Sequence, residues 1–175
     1  MSMTLGHKRE TRNIDTPDAM HDLGVELARS LQAGDVLVLT GPLGAGKTTL
    51  TRGIGEGLHV RGPVTSPTFV LARTHPSLNG GAPLVHVDAY RLSNAVELDD
   101  LDIDFARSIT VVEWGRGLVE SLTESWLDVE IERPHGAGAR AGDDDGDPDD
   151  EASPDETIVE TRTVTITGHG PRWSE

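Results

Sequence analysis

The sequence predicts an α/β domain of three layers, built on a mixed sheet with parallel strands and an antiparallel hairpin near the C-terminus. Three observations lead there. An apolar run, VLVLT at 36–40, passes through a glycine-rich turn into a helical stretch. Later apolar runs at 69–74, 84–88 and 109–113 alternate with helical or turn segments, the rhythm of parallel strands joined by crossovers. The last two runs, at 126–132 and 158–167, alternate apolar and polar residues, as antiparallel strands with one wet face do.

Taken in order, residues 9–14 give a short and weakly marked first strand. Thr16-Pro17-Asp18 then opens a helix, with a capping hydroxyl, a proline at the first helical position and an acid in the first turn. Met20, Leu23, Leu27 and Leu31 follow at spacings of three, four and four, which makes one apolar stripe, and Gly34 closes the segment. Residues 36–40 read as a buried strand. Residues 47–58 read as a helix with Leu50, Ile54 and Leu58 on one side. Gly53, Gly55 and Gly57 weaken that helix, and close packing against the sheet is a reason to keep them. Residues 134–156 are rich in Gly, Asp and Pro and cannot bury enough surface to offset ordering entropy; they read as a disordered acidic insertion inside the last hairpin.

Composition narrows the class. At 175 residues the length prior gives one domain, 1–175. Aromatics are only 3% of the chain, so aliphatic side chains must build the core. There is no cysteine, hence no disulfide framework and no thiolate metal site. No apolar run approaches the length of a bilayer span, and the first residues lack the apolar stretch of a secretory signal. The expectation is a cytoplasmic protein without a membrane partner. The net charge of −15 argues against gripping nucleic acid unaided. Residues 141–156 hold nine acids and no base, leaving 21 acids against 15 bases elsewhere.

The segment Gly41-Pro42-Leu43-Gly44-Ala45-Gly46-Lys47-Thr48 satisfies G-x-x-x-x-G-K-[ST], and Thr49 follows it. Glycines let backbone N–H groups converge on phosphate oxygens, and the following helix points its positive end at the same anion. Lys47 then reaches the β- and γ-phosphates, and the Thr48 hydroxyl coordinates Mg²⁺. The strand before and the helix after supply the context that this motif requires, which makes the domain P-loop NTPase-like. The chain has just two lysines, Lys8 and Lys47, so the mid-chain one stands where a compact ammonium fits better than a planar guanidinium.

A Mg²⁺-nucleotide site needs an acid at the end of a neighbouring strand. LVHVD ends in Asp88 and ITVVE ends in Glu113; the plain alternative for either is a solvated strand-end acid. His86 shares the strand face of Asp88, as a satisfied core histidine or as part of a His-x-Asp metal site. VTSPTF at 64–69 sets three hydroxyls around Pro67, either an ordinary turn or a mobile segment answering the γ-phosphate. The Asn/Thr-Lys-x-Asp motif of guanine-specific switches is impossible with these two lysines, which favours ATP. Arg52, Arg61, Arg73 and Arg91 are scattered singly, so neither a kinase lid nor an arginine finger stands out. A metabolite kinase and a nucleotide-dependent adaptor without turnover remain as rivals.

Together, GPLGAGKTTLTRG, SPTF, HVDAYRL, Glu97-Leu98 and VVEWG resemble the bacterial TsaE (YjeE) family in order and spacing, over about residues 12–132. The resemblance implies a small P-loop ATPase that binds ATP and Mg²⁺, hydrolyses ATP slowly alone, and assists the TsaD–TsaB pair. That pair makes threonylcarbamoyladenosine at position 37 of tRNAs reading ANN codons; contact with tRNA is then indirect, through the partners. Carried over, Gly41, Leu43, Gly44, Ala45, Gly46, Lys47, Thr48 and Thr49 are the nucleotide loop. Ser66, Pro67, Thr68 and Phe69 are the switch-like segment, and Tyr90, Arg91 and Leu92 the Y-R-L element. Asp88 and Glu113 are the acids near Mg²⁺, and Trp114 joins the nucleotide site. Glu113 is the first choice to position the attacking water and Asp88 to hold the metal, with the two roles open to exchange. Pro42 stands where the family commonly has an acid, and Ala89 replaces a larger apolar residue.

Overall fold

The computed structural model describes residues 9–42, 44–65, 67, 71–133 and 161–173. Its seven strands are β1 (Glu10–Ile14), β2 (Val36–Thr40), β3 (Ala72–His75), β4 (Leu84–Asp88), β5 (Ile109–Glu113), β6 (Trp126–Glu132) and β7 (Arg162–His169). Three helices accompany them: α1 (Pro17–Ala28), α2 (Lys47–Gly57) and α3 (Ala95–Asp99). The strands form one sheet in the order β1-β7-β6-β2-β5-β4-β3. Parallel pairing joins β6, β2, β5 and β4, so those four strands end at the same edge. Antiparallel pairing adds β7 and β1 on one side and β3 on the other. The α/β class and the mixed sheet are as the sequence predicts.

Three details differ from the expectation. The run placed at 69–74 forms its strand at Ala72–His75, and it returns antiparallel on β4 rather than through a crossover. The intervening 76–83 loop is too short to carry a parallel connection. The first helix stops at Ala28, so Leu31 lies beyond it, although it still packs on the core. α3 went unread. Its Asn94 cap accepts from the Glu97 amide at 3.0 Å while the Glu97 carboxylate accepts from the Ser93 amide at 2.7 Å, a near relative of the capping box. The last strand starts no earlier than Arg162 within the described residues, and the 134–156 insertion lies outside them.

Period-two alternation divides the core. Leu37, Leu39, Ile109, Val111, Leu127, Val129 and Val164 face α1 and α2, where Met20, Leu23, Leu27, Leu50 and Ile54 cover them. Val36, Val38, Val85, Val87 and Val112 face the other way, beneath Leu98 of α3 and Val119. Thr16 caps α1 by accepting from the Ala19 amide at 3.0 Å, with Pro17 opening the first turn.

α1 and α2 touch backbone to backbone. A Cβ on Gly24 would strike the Leu50 carbonyl, and one on Gly53 would strike the His21 carbonyl. One on Gly57 would lie 2.6 Å from Ala28 Cβ. The glycines of α2 thus serve close packing, as expected, but at two of the three positions the neighbour is α1 rather than the sheet. At the opposite end of the sheet, Asp35 is buried and receives Arg172 through two contacts, at 3.1 and 3.4 Å. That pair fastens the C-terminal turn, Pro171–Trp173, to the entry of β2. Among the described residues no helix is long and apolar enough to cross a membrane.

Candidate nucleotide site

β2 delivers the chain to the edge where β4, β5 and β6 also end, and there Gly41 begins the glycine loop. Gly44 and Gly46 take φ of 76° and 110°, the left-handed region that side chains resist, so the loop can curl before α2 starts at Lys47. Ala45 closes a turn by donating its amide to the Pro42 carbonyl at 3.0 Å. At α2's first turn, Thr51 Oγ1 donates to the Lys47 carbonyl at 2.8 Å and is fully buried, while Thr48 and Thr49 stay half-buried. Leu43 lies outside the described residues, as do Ser66, Thr68 and Phe69 of the switch-like segment.

Lys47 is only 7% exposed. Its Nζ donates to the Gly41 carbonyl at 2.5 Å and to the Pro42 carbonyl at 3.4 Å, and it sits 4.1 Å above the Trp114 ring. Burial pushes this ammonium below its usual range, and the charges of Glu113 and Asp88 oppose that shift. The two acids are direct neighbours in the β4–β5 ladder, and Glu113 also pairs with Leu39 of β2. Glu113 is 5% exposed, and its Oε1 is buried without a hydrogen bond. Asp88 is more open and accepts the Tyr90 amide at 3.1 Å, which turns the chain away from the strand. Lys47, Asp88 and Glu113, picked out separately in sequence, therefore meet at one sheet edge.

Trp114 holds φ at 61°, a conformation that costs a non-glycine residue on the order of 1 kcal/mol and persists only where its surroundings enforce it. Its amide donates to the Leu39 carbonyl at 3.0 Å, and the turn swings the indole across Lys47. Tyr90, exposed, meets the same indole edge-on with ring centroids 5.4 Å apart. A cation–aromatic contact of this kind fixes the ammonium's direction while leaving its N–H groups free to bond.

The residues fit a Mg²⁺-triphosphate. The left-handed glycines form a turn before a helix N-terminus, and the buried Glu113 carboxylate lies beside Asp88 in the ladder with the Lys47 ammonium near both. Among the described residues no three His, Asp or Glu side chains gather to hold an ion. A magnesium site built from one or two carboxylates, a hydroxyl and phosphate oxygens needs no such cluster.

Two arginines that sequence reasoning passed over stand beside the loop. A Cβ on Gly46 would come within 3.3 Å of Arg162 Nη1, and one on Gly44 within 3.8 Å of Arg133 Nη1. Arg133 follows β6, and β6 runs beside β2, so only the strand order brings it to the loop. Arg116 is committed elsewhere, to Asp128 at 3.2 Å and Glu130 at 3.4 Å.

Comparison with known proteins gives a consistent answer. The family model described as "Threonylcarbamoyl adenosine biosynthesis protein TsaE" matches residues 14–141. A Streptomyces coelicolor protein named tRNA threonylcarbamoyladenosine biosynthesis protein TsaE is 54% identical over 158 residues, covering 89% of this chain and 94% of its own. A Mycobacterium tuberculosis (strain H37Rv) protein of the same name is 53% identical over 120 residues, covering 63% and 71% respectively. The crystal structure of Bacillus subtilis YdiB superposes with a TM-score of 0.64 at 30% identity, covering 95% of this chain and 89% of that one.

Proposed function

The chain belongs to the TsaE family, and from that premise we propose that it is a Mg²⁺-dependent P-loop ATPase that assists the cytoplasmic machinery making tRNA threonylcarbamoyladenosine. The observation that carries the reading is the meeting of Lys47, Asp88 and Glu113 beside a left-handed glycine loop.

In this reading Lys47 leaves the Gly41 and Pro42 carbonyls for the β- and γ-phosphates, guided by the Trp114 face. The loop amides donate to the phosphate oxygens. Thr48, with Asp88 or Glu113, holds the metal; Mg²⁺ when bound neutralises charge on the triphosphate. Glu113, buried beside Lys47, would orient the attacking water, and Asp88 at the open rim would help to hold the metal. Partners are TsaD and TsaB homologues, which carry out the carbamoyl transfer; tRNA is met through them. Turnover alone is slow and rises when the partners complete the site.

The test is ADP release measured with and without the TsaD and TsaB homologues, with modification of adenosine 37 followed in parallel. Slow basal release that rises with the partners and tracks modification is the expected result. Release that rises only with a small-molecule acceptor would make the protein a metabolite kinase. Binding of ATP with no release in any mixture would make it an adaptor.

A further inference from the structure

His86 lies fully buried on the face of β4 that packs beneath α2. Neither ring nitrogen has a hydrogen bond. Its Nε2 stands 3.3 Å from Glu113 Oε1, itself buried and unpartnered, and among the described residues Glu113 is the one carboxylate within 4 Å of the ring. Across the sheet, the same face offers Arg73 of β3, which cannot accept, Val111 of β5, which has nothing polar to offer, and His75 of β3, whose buried Nε2 makes no hydrogen bond to His86.

We propose that His86 is a positioning residue for Glu113, donating its Nε2–H to Oε1 and so holding the carboxylate at the sheet edge. A neutral imidazole carries one N–H and one bare nitrogen. A buried N–H without an acceptor is costlier than a buried bare nitrogen, and the acceptor at hand is Glu113 Oε1. The proton therefore sits on Nε2, and Nδ1 is the bare atom. A small rotation of the carboxylate aligns the pair and satisfies both atoms at once. With Oε1 held from below, Oε2 is the oxygen left to face the loop. Carboxylates that act on a water or a metal gain direction from such a second hydrogen bond, and loss of the supporting group typically costs about 10–100-fold in activity or metal affinity.

What Glu113 does in turnover rests on the ATPase reading, but the contact does not, and two measurements separate them. The first is long-range ¹H–¹⁵N NMR of the nucleotide-free full chain, with the His86 signals assigned by their absence in His86→Gln. The expected result is the Nε2–H tautomer, with its signals displaced in Glu113→Gln. An Nδ1–H tautomer, or signals indifferent to Glu113→Gln, would overturn the proposal. The second compares His86→Leu with His86→Gln, whose side-chain amide can still donate. His86→Leu should lower kcat by about 10–100-fold while KM for ATP changes by no more than about twofold, and His86→Gln should recover most of the loss. Equal losses in the two variants, or a loss confined to KM, would count against it. Should the wild type show no turnover, the ATPase reading fails while the NMR result still decides the contact.

Discussion

Gly53→Ala should destabilise the protein, although alanine is the better helix former by about 1 kcal/mol. Gly53 sits inside α2, where propensity alone would reward the change. The structure reverses the sign. An added methyl would run into the His21 carbonyl oxygen, with His21 carbonyl carbon at 2.9 Å and Gly24 Cα at 3.1 Å. All three atoms belong to the backbone of α1, so no side chain can swing aside. Relief requires the helices to part, which loosens Leu23 and Leu27 against Leu50 and Ile54. Overpacking of this kind costs about 1–3 kcal/mol, here at the upper end because backbone must yield. After the propensity gain the net loss is about 1–2 kcal/mol, or roughly 2–8 °C in Tm for a chain of this size. Thermal unfolding followed by circular dichroism, with a urea midpoint at constant temperature, measures it. A Gly53→Ala protein as stable as the parent would refute the backbone-contact argument. Because α2 carries Lys47, Thr48 and Thr49, ATP affinity by calorimetry should fall with it.

Other outcomes follow from single contacts. Lys47→Ala should abolish ATP binding by calorimetry while preserving the fold; unchanged affinity would remove the nucleotide loop from the reading. Arg172→Ala leaves Asp35 buried with the Gln32 amide at 2.8 Å as its remaining partner, and should cost about 1–3 kcal/mol in a urea titration. His75 is pushed below its ordinary value of 6.5 by burial, which its bond to the Arg61 carbonyl opposes only in part. The unfolded chain therefore takes up that proton first, so the stability held above pH 6.5 declines as pH falls below it. His75→Gln should flatten the fall in urea midpoint between about pH 7 and 5, and an unchanged slope would exonerate this residue.

The strand ends were the legible part of the site. Asp88 and Glu113 each terminate an apolar run, and an acid there is visible without knowing which strands are neighbours. Lys47 was fixed by its motif. What the sequence hid depends on pairing. Arg133 and Arg162 reach the loop only because β6 lies beside β2 and β7 beside β6, an order no local pattern encodes. His86 could be placed on the face of Asp88 by counting in twos, yet its actual neighbour is Glu113, one strand away. The antiparallel return of β3 was hidden for a similar reason. Four residues with one apolar member carry little periodicity, and the short loop to β4 was the better clue.

The sheet's order also bears on how the chain is made. β1 leaves the ribosome well before its hydrogen-bonding partner β7, with Glu10 opposite Ile166. At about 5–20 residues per second, the first strand waits on the order of ten to thirty seconds for its mate. The parallel centre around the glycine loop meets its own delay, since β2 waits for β5 and then β6. Closing the antiparallel wing thus waits for β7, the last of the described strands. A chain lacking β7 would expose β6 as a new sheet edge and leave β1 without a partner, each able to pair with another chain. Arrival of β7 therefore covers β6 and pairs β1 in one step.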